Sequence, residues 1–121
     1  MNPKQTIRPT QLPVDLYEGD DQITVLARLP GVRPEDLEVR LEGDQLTVSA
    51  TRHEPVPAGE GDHQARALFR ELGEAHFSRQ IRLRSPIDAD GIEARLELGL
   101  LQLRLPKAAA ARPRVIEVRA G

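Results

Sequence analysis

The 121-residue chain carries 17 basic and 19 acidic side chains, a formal net charge of −2 with the two signs interspersed. That leaves no broad positive field for a phosphate backbone, so nucleic acid is not an expected partner. There is no cysteine, which excludes a disulfide framework and a thiolate metal site, and no apolar run approaches the roughly 20 residues of a membrane span.

The chain therefore reads as one soluble, cytoplasmic domain with a single core. Its aromatics are only Tyr17, Phe69 and Phe77, so the core must be Leu, Ile and Val, and periodicity must separate strand from helix. Residues 1–13 hold Pro3, Pro9 and Pro13 among polar residues and read as an N-terminal arm. VDLYEGDDQITVLARL, from Val14, breaks at the turn-rich Glu18 to Asp21 and gives two strands. After the turn signal Pro30-Gly31, Leu37, Val39 and Leu41 alternate with charged residues, and Leu46, Val48 and Ala50 alternate with Thr47 and Ser49. Glu42-Gly43-Asp44 between them is short enough for a hairpin.

HEPVPAGEGDHQ, residues 53–64, is too rich in Pro, Gly and charge for a core element and reads as a long loop. An apolar patch at its far end, Ala67, Leu68, Phe69 and Leu72, is expected to form a short strand. FSRQIRLR, residues 77–84, is a further strand. ARLELGLLQLRLPK, residues 94–107, is a hairpin, with Ile92, Ala94, Leu96 and Leu98 on one face before Gly99 and Leu101, Leu103 and Leu105 on one face after it. Residues 107–113 form a tether ended by Pro113, followed by the apolar, β-favouring VIEV of residues 115–118. Many short strands and no long helical period predict an all-β, antiparallel, immunoglobulin-like sandwich over residues 14–106, with extensions at both ends.

Catalytic and metal signatures are weak. His53, His63 and His76 show no ligand-spaced companions and are expected to be solvated. Ser78 sits in an alternating strand and not in a nucleophile elbow. GEGD, residues 59–62, lacks the Lys-Ser or Lys-Thr of a phosphate cradle. No metal, cofactor or enzymatic activity is expected.

Four segments in order, LPGVRPEDLEV (29–39), LTVSATR (46–52), ARLELGLLQLRLPK (94–107) and IEV (116–118), together resemble the small heat shock proteins with their α-crystallin domain, of the bacterial and plant type. The resemblance spans about residues 13 to 118, and the family signature falls on Ala94, Gly99, Leu100 and Leu101. It implies an ATP-independent holdase that dimerises and keeps partly unfolded client proteins from aggregating. It also implies that the loop at 53–72 carries an exchanged dimerisation strand at Ala67, Leu68, Phe69 and Leu72, with Arg79 as an interface charge. The tail aliphatics Ile116 and Val118 are expected to dock in a groove of a neighbouring subunit lined by Val39, Leu41, Leu96 and Leu98, and the assembly is a homodimer or larger homo-oligomer. An extra strand on their own domain or a frayed tail is the plainer reading of Ile116 and Val118, and a solvated sheet face that of Arg79. The family has Asn where Leu98 stands, so the expected turn keeps Leu98 at negative φ with Gly99 alone positive. An arm without aromatics implies a smaller assembly and weaker holdase activity. The competing function is an adaptor module of the CS-domain co-chaperone kind, which binds one folded partner.

Overall fold

The structure is a computed structural model that describes residues 10–61, 63–109 and 118. Eight strands follow the chain: β1 (Thr10–Gln11), β2 (Val14–Glu18), β3 (Gln22–Arg28), β4 (Leu37–Glu42), β5 (Gln45–Arg52), β6 (Ala75–Arg82), β7 (Glu93–Glu97) and β8 (Leu100–Pro106). Two short 3-10 turns, Pro34–Asp36 and Ala89–Gly91, precede β4 and β7. The strands form two four-stranded sheets in the orders β1-β6-β5-β4 and β2-β3-β8-β7. Every pairing is antiparallel except that of β1 with β6, which is parallel. The expected all-β sandwich is the observed fold.

The period of two builds it. Three strands with neighbours on both sides carry a buried triplet each: Ile23, Val25 and Ala27 on β3, Leu46, Val48 and Ala50 on β5, and Leu101, Leu103 and Leu105 on β8. Their intervening residues face out and are polar for the most part, as a sheet packed on one face requires. Each fully buried Leu or Val contributes about 1.5–3 kcal/mol relative to leaving it in water.

Two features depart from the sequence reading. The segment taken as arm ends on the sandwich: Thr10 and Gln11 pair with Phe77 and Ser78, and Leu12 is only 1% exposed. The Leu12 amide donates to the Ser78 carbonyl at 3.1 Å, and Arg79 Nη1 donates to the Leu12 carbonyl at 3.3 Å. A lone leucine between a glutamine and a proline offers no period to read.

The second departure is the β7–β8 turn, where the expected negative φ at Leu98 is wrong. Leu98 has φ +50° and Gly99 φ +77°. Glu97 pairs with Leu100, so the loop has two residues, and a two-residue hairpin favours positive φ at both because that twist matches the flanking strands. The demand of the hairpin outweighs the roughly 1–2 kcal/mol that a left-handed leucine costs. The turn is also anchored, since the Leu29 amide donates to the Gly99 carbonyl at 2.6 Å. A Cβ on Gly99 would lie 2.9 Å from Pro30 Cα, so glycine is required there for space as well as for φ.

Two outcomes follow for denaturant unfolding. Leu103→Ala, at the centre of β8 and fully buried, lowers stability by about 2–5 kcal/mol through lost burial and the cavity left behind. Leu98→Asn raises it by about 1 kcal/mol, because Asn tolerates the left-handed region and the Leu98 side chain, fully exposed, gives up no packing. An unchanged or lower midpoint for Leu98→Asn contradicts the strain assigned to this turn.

Candidate docking groove and exchange loop

The sheet orders place two edge strands together. Only Leu12 and Pro13 join β1 to β2, so those two edges lie at one side of the sandwich, and the opposite edges, β4 and β7, lie at the other. Register then fixes what the second side presents. Leu37, Val39 and Leu41 stand opposite Ala50, Val48 and Leu46, and Ala94 and Leu96 stand opposite Leu103 and Leu101. All five therefore face inward. Unlike the triplets on the central strands, Leu37, Val39, Leu41, Leu96 and the preceding Ile92 are only half-buried against the core, and the small Ala94 is exposed. The result is a partly covered aliphatic strip between two strands that, among the described residues, each pair on one side only.

Val39, Leu41 and Leu96, expected to line a groove, thus face inward on these two edge strands. Leu98 does not: it occupies the turn beyond β7 with its side chain in solvent, because the hairpin register uses it as a loop residue. Leu37, Ile92 and Ala94 belong to the strip and were not picked out for it, although the alternation that marks Val39 and Leu41 also marks Leu37. Of the signature residues, Leu101 is core, Leu100 is half-buried on the outer face, and Gly99 makes the turn.

The long loop presents an apolar face. Leu68, Phe69 and Leu72 are exposed, Phe69 at 80%, and Ala67 with them. Ala67–Leu72, expected to form an exchanged strand, are not in strand conformation here, and among the described residues of the loop Ala58 and Gln64 form a bridge. At the other side of the sandwich, β2 is an edge strand carrying exposed Leu16 and Tyr17. Arg79 stands opposite Val48 on the inner face of β6 and spends Nη1 on the Leu12 carbonyl of its own chain. Ile116 lies outside the described residues, and Val118 is exposed.

The point from which the C-terminal segment departs is fixed. The Lys107 amide donates to the Asp21 carbonyl at 2.8 Å and the Ala108 amide to the Pro86 carbonyl at 2.9 Å. The buried Lys107 side chain puts Nζ 2.7 Å from Glu18 Oε2. The hydrogen bond and charge of Lys107 hold the Glu18 carboxyl below the usual carboxylate range, with smaller help from Ser85 and Arg84. Among the described residues no group of three or more His, Asp or Glu side chains is placed to hold a metal ion, and no helix is long and apolar enough to cross a membrane.

A family model described as Hsp20/alpha crystallin matches residues 15–119. The chain belongs to this family. It is 38% identical over 115 residues to an 18 kDa heat shock protein of Streptomyces albus G, covering 94% of this chain and 77% of that one. It is 36% identical to 18 kDa antigen 2 of Mycobacterium avium, covering 93% and 78%. Among solved structures, heat shock protein 16.0 of Schizosaccharomyces pombe superposes with a TM-score of 0.70 at 31% identity, over 93% of this chain and 99% of that chain. A small heat-shock protein of Xylella fastidiosa, itself with a distinct high order structure, gives 0.60 at 32% identity over 90% and 96%. The protein is a small heat shock chaperone, a family of chaperones and not of enzymes.

The Lys107–Glu18 contact makes a pH prediction whose sign is set by the lowered carboxyl. A group whose pKa is depressed on folding stabilises the fold above its unfolded pKa, and that contribution disappears as pH falls through the folded value. Glu18→Gln is therefore less stable than the wild type at neutral pH, and the two denaturation midpoints converge as the pH drops below the carboxylate range. A gap that persists unchanged into acid contradicts the assignment.

Proposed function

We propose that the protein is an ATP-independent holdase that binds partly unfolded proteins through apolar surfaces at its sheet edges, and that it works as a homodimer or a larger homo-oligomer. The observation that carries this is the half-covered strip between β4 and β7, which combines half-buried aliphatic side chains with strand edges that, among the described residues, pair on one side only. An extended segment with aliphatics at alternate positions fits such a strip by strand addition, in which the backbone supplies hydrogen bonds and alternate side chains enter the pockets. Ile116 and Val118 have that spacing. Burying two such side chains yields roughly 3–6 kcal/mol before ordering costs, so a single tail docks reversibly and gives way to a client segment of similar chemistry. Val39 and Leu41 form one wall and Leu96 the other, extended by Leu37, Ile92 and Ala94; Leu98 lies outside.

Dimerisation uses the loop. Ala67, Leu68, Phe69 and Leu72 form a strand on the partner, and the free edge of β2 with Leu16 and Tyr17 is the surface suited to receive it, since it covers apolar groups on both sides at once. Arg79, beside the β1–β6 edge, is the interface charge. Absence of cysteine fits a reducing cytoplasm. An adaptor that binds one folded partner has no use for an exchange loop with three exposed large apolar side chains.

The experiment is light scattering of a heat-aggregating test enzyme with stoichiometric protein and no ATP, beside an Ile116→Ala/Val118→Ala variant sized in parallel. Wild type suppresses scattering, and the variant has a lower assembly mass. If neither protein suppresses scattering and both have the same mass, the holdase reading and the docking tail fall, and the adaptor takes their place.

A further inference from the structure

The base of the long loop is held by a cluster that the docking surfaces do not use. His53, just after β5, and Glu74, just before β6, stand at the two ends of the loop and meet, with His53 Nδ1 3.0 Å from Glu74 Oε2. His53 Nε2 lies 3.5 Å from Asp36 Oδ1, on the 3-10 turn before β4. The second Glu74 oxygen, Oε1, is 3.1 Å from His76 Nε2, and His76 Nδ1 is 3.2 Å from Thr51 Oγ1 on the neighbouring strand. One carboxylate thus ties two imidazoles, and one of those imidazoles has a carboxylate at each ring nitrogen.

A neutral imidazole has a single N–H and can satisfy only one of two facing carboxylates; the imidazolium donates to both. Protonation converts His53 from a half-made bridge into a complete one between Asp36 and Glu74, and it adds a charge-assisted bond from His76 to Glu74. The remaining charges around the cluster are Glu35 and Glu38, which line the depression beside His76, Arg33, which pairs with Asp36 at 3.2 Å, and Arg52. Arg52 lies 3.0 Å from Glu54 and donates from Nη2 to the Leu72 carbonyl at 3.2 Å. Acids outnumber bases among these groups, and Arg52 supplies a tie across the same loop base that uses no imidazole.

We propose that His53, Glu74 and His76 form a proton-gated clamp that fixes the departure of the loop from the sandwich as the pH falls. Imidazole is the side chain that changes charge between about pH 5 and 8. Its consequence for assembly rests on the proposed exchange of the loop between subunits: a clamped loop departs in one direction only, and subunits trade more slowly.

The test is amide exchange of residues 63–73, expressed as protection factors so that the intrinsic pH dependence is removed, at about pH 7.5 and about pH 6. Wild-type protection rises about two- to fivefold on acidification, the size set by partly exposed ion pairs. Glu74→Gln, which keeps the shape but removes the charge, shows no rise, and Lys or Arg changes remote from the loop leave the rise intact. Flat wild-type protection overturns the clamp, and so does a rise that survives in Glu74→Gln. Subunit exchange between isotope-labelled and unlabelled protein is followed alongside by mass. Slowing in step with protection supports the control of assembly; a rise in protection with an unchanged exchange rate overturns that control. A monomer by sizing whose loop still gains protection leaves the clamp standing and removes the exchange reading of the loop.

Discussion

An edge strand has one row of backbone donors and acceptors with no strand to satisfy it, and the behaviour of this sandwich follows from how its edges are treated. The edge of β6 is covered in cis by β1, a two-residue strand locked down by Leu12. The edges β4 and β7 are treated alike, and the sequence shows how: both carry Glu-x-Arg-x-Glu on the outward face, Glu38-Arg40-Glu42 and Glu93-Arg95-Glu97, with aliphatics or Ala94 between them. Arg40 reaches Glu38 at 2.6 Å and Glu42 at 3.5 Å, and Arg95 lies 3.8 Å from Glu97. Exposed pairs of this kind contribute little stability. Their value lies in keeping the outward face wet, so that these edges do not pair flat with any passing strand, while the inward face stays apolar and half-covered.

That asymmetry is why the strip suits a docking segment better than a stable permanent partner. A strand laid along β4 or β7 gains hydrogen bonds on one side and pockets for alternate residues beneath it, and its other face must remain polar to lie beside the acid-base rows. Such a segment is short, aliphatic at every second position and otherwise polar, a description that fits the tail and many unfolded protein segments alike. Weak, general complementarity is the useful property for a chaperone, since tight binding to one sequence would remove the protein from the pool available to others.

The sandwich was legible because three central strands alternate with few breaks, Leu26 and Leu100 being the outward apolar exceptions, and alternation over several residues specifies both strand and face. The same alternation found Val39, Leu41 and Leu96. It failed where the period runs out. Leu12 is a single apolar residue before a proline, and only its partners on β6 reveal it as core. Leu98 continues the alternation of β7 by sequence, yet the two-residue hairpin requires a turn residue there, and closure of the hairpin overrides both side-chain pattern and φ preference. The patch at Ala67–Leu72 has the residues of a strand but pairs with no strand among the described residues, and a strand is a property of a pair. The clamp was invisible for a different reason: His53 and Glu74 are 21 residues apart, separated by a loop whose composition says only that it is a loop.

The magnitudes connect these parts. Leu68, Phe69 and Leu72 lie within five residues of one another and are all largely exposed, and large exposed patches on soluble proteins mark contact surfaces or become sites of aggregation. A chaperone whose own loop aggregated would defeat its purpose, and under the proposed exchange a partner covers the loop most of the time and releases it only for short intervals. Coverage of that kind demands a loop that leaves the domain in a defined direction. The ties at its base supply the direction: Arg52 to the Leu72 carbonyl at any pH, and the histidines to Glu74 according to proton concentration. Each tie is weak and partly exposed, which limits it to a severalfold bias on an equilibrium that the apolar contacts dominate. Under the proposed exchange, a bias of that size alters how often subunits separate without altering whether the sandwich folds, because the folding energy resides in the buried triplets of β3, β5 and β8, whose side chains are all aliphatic.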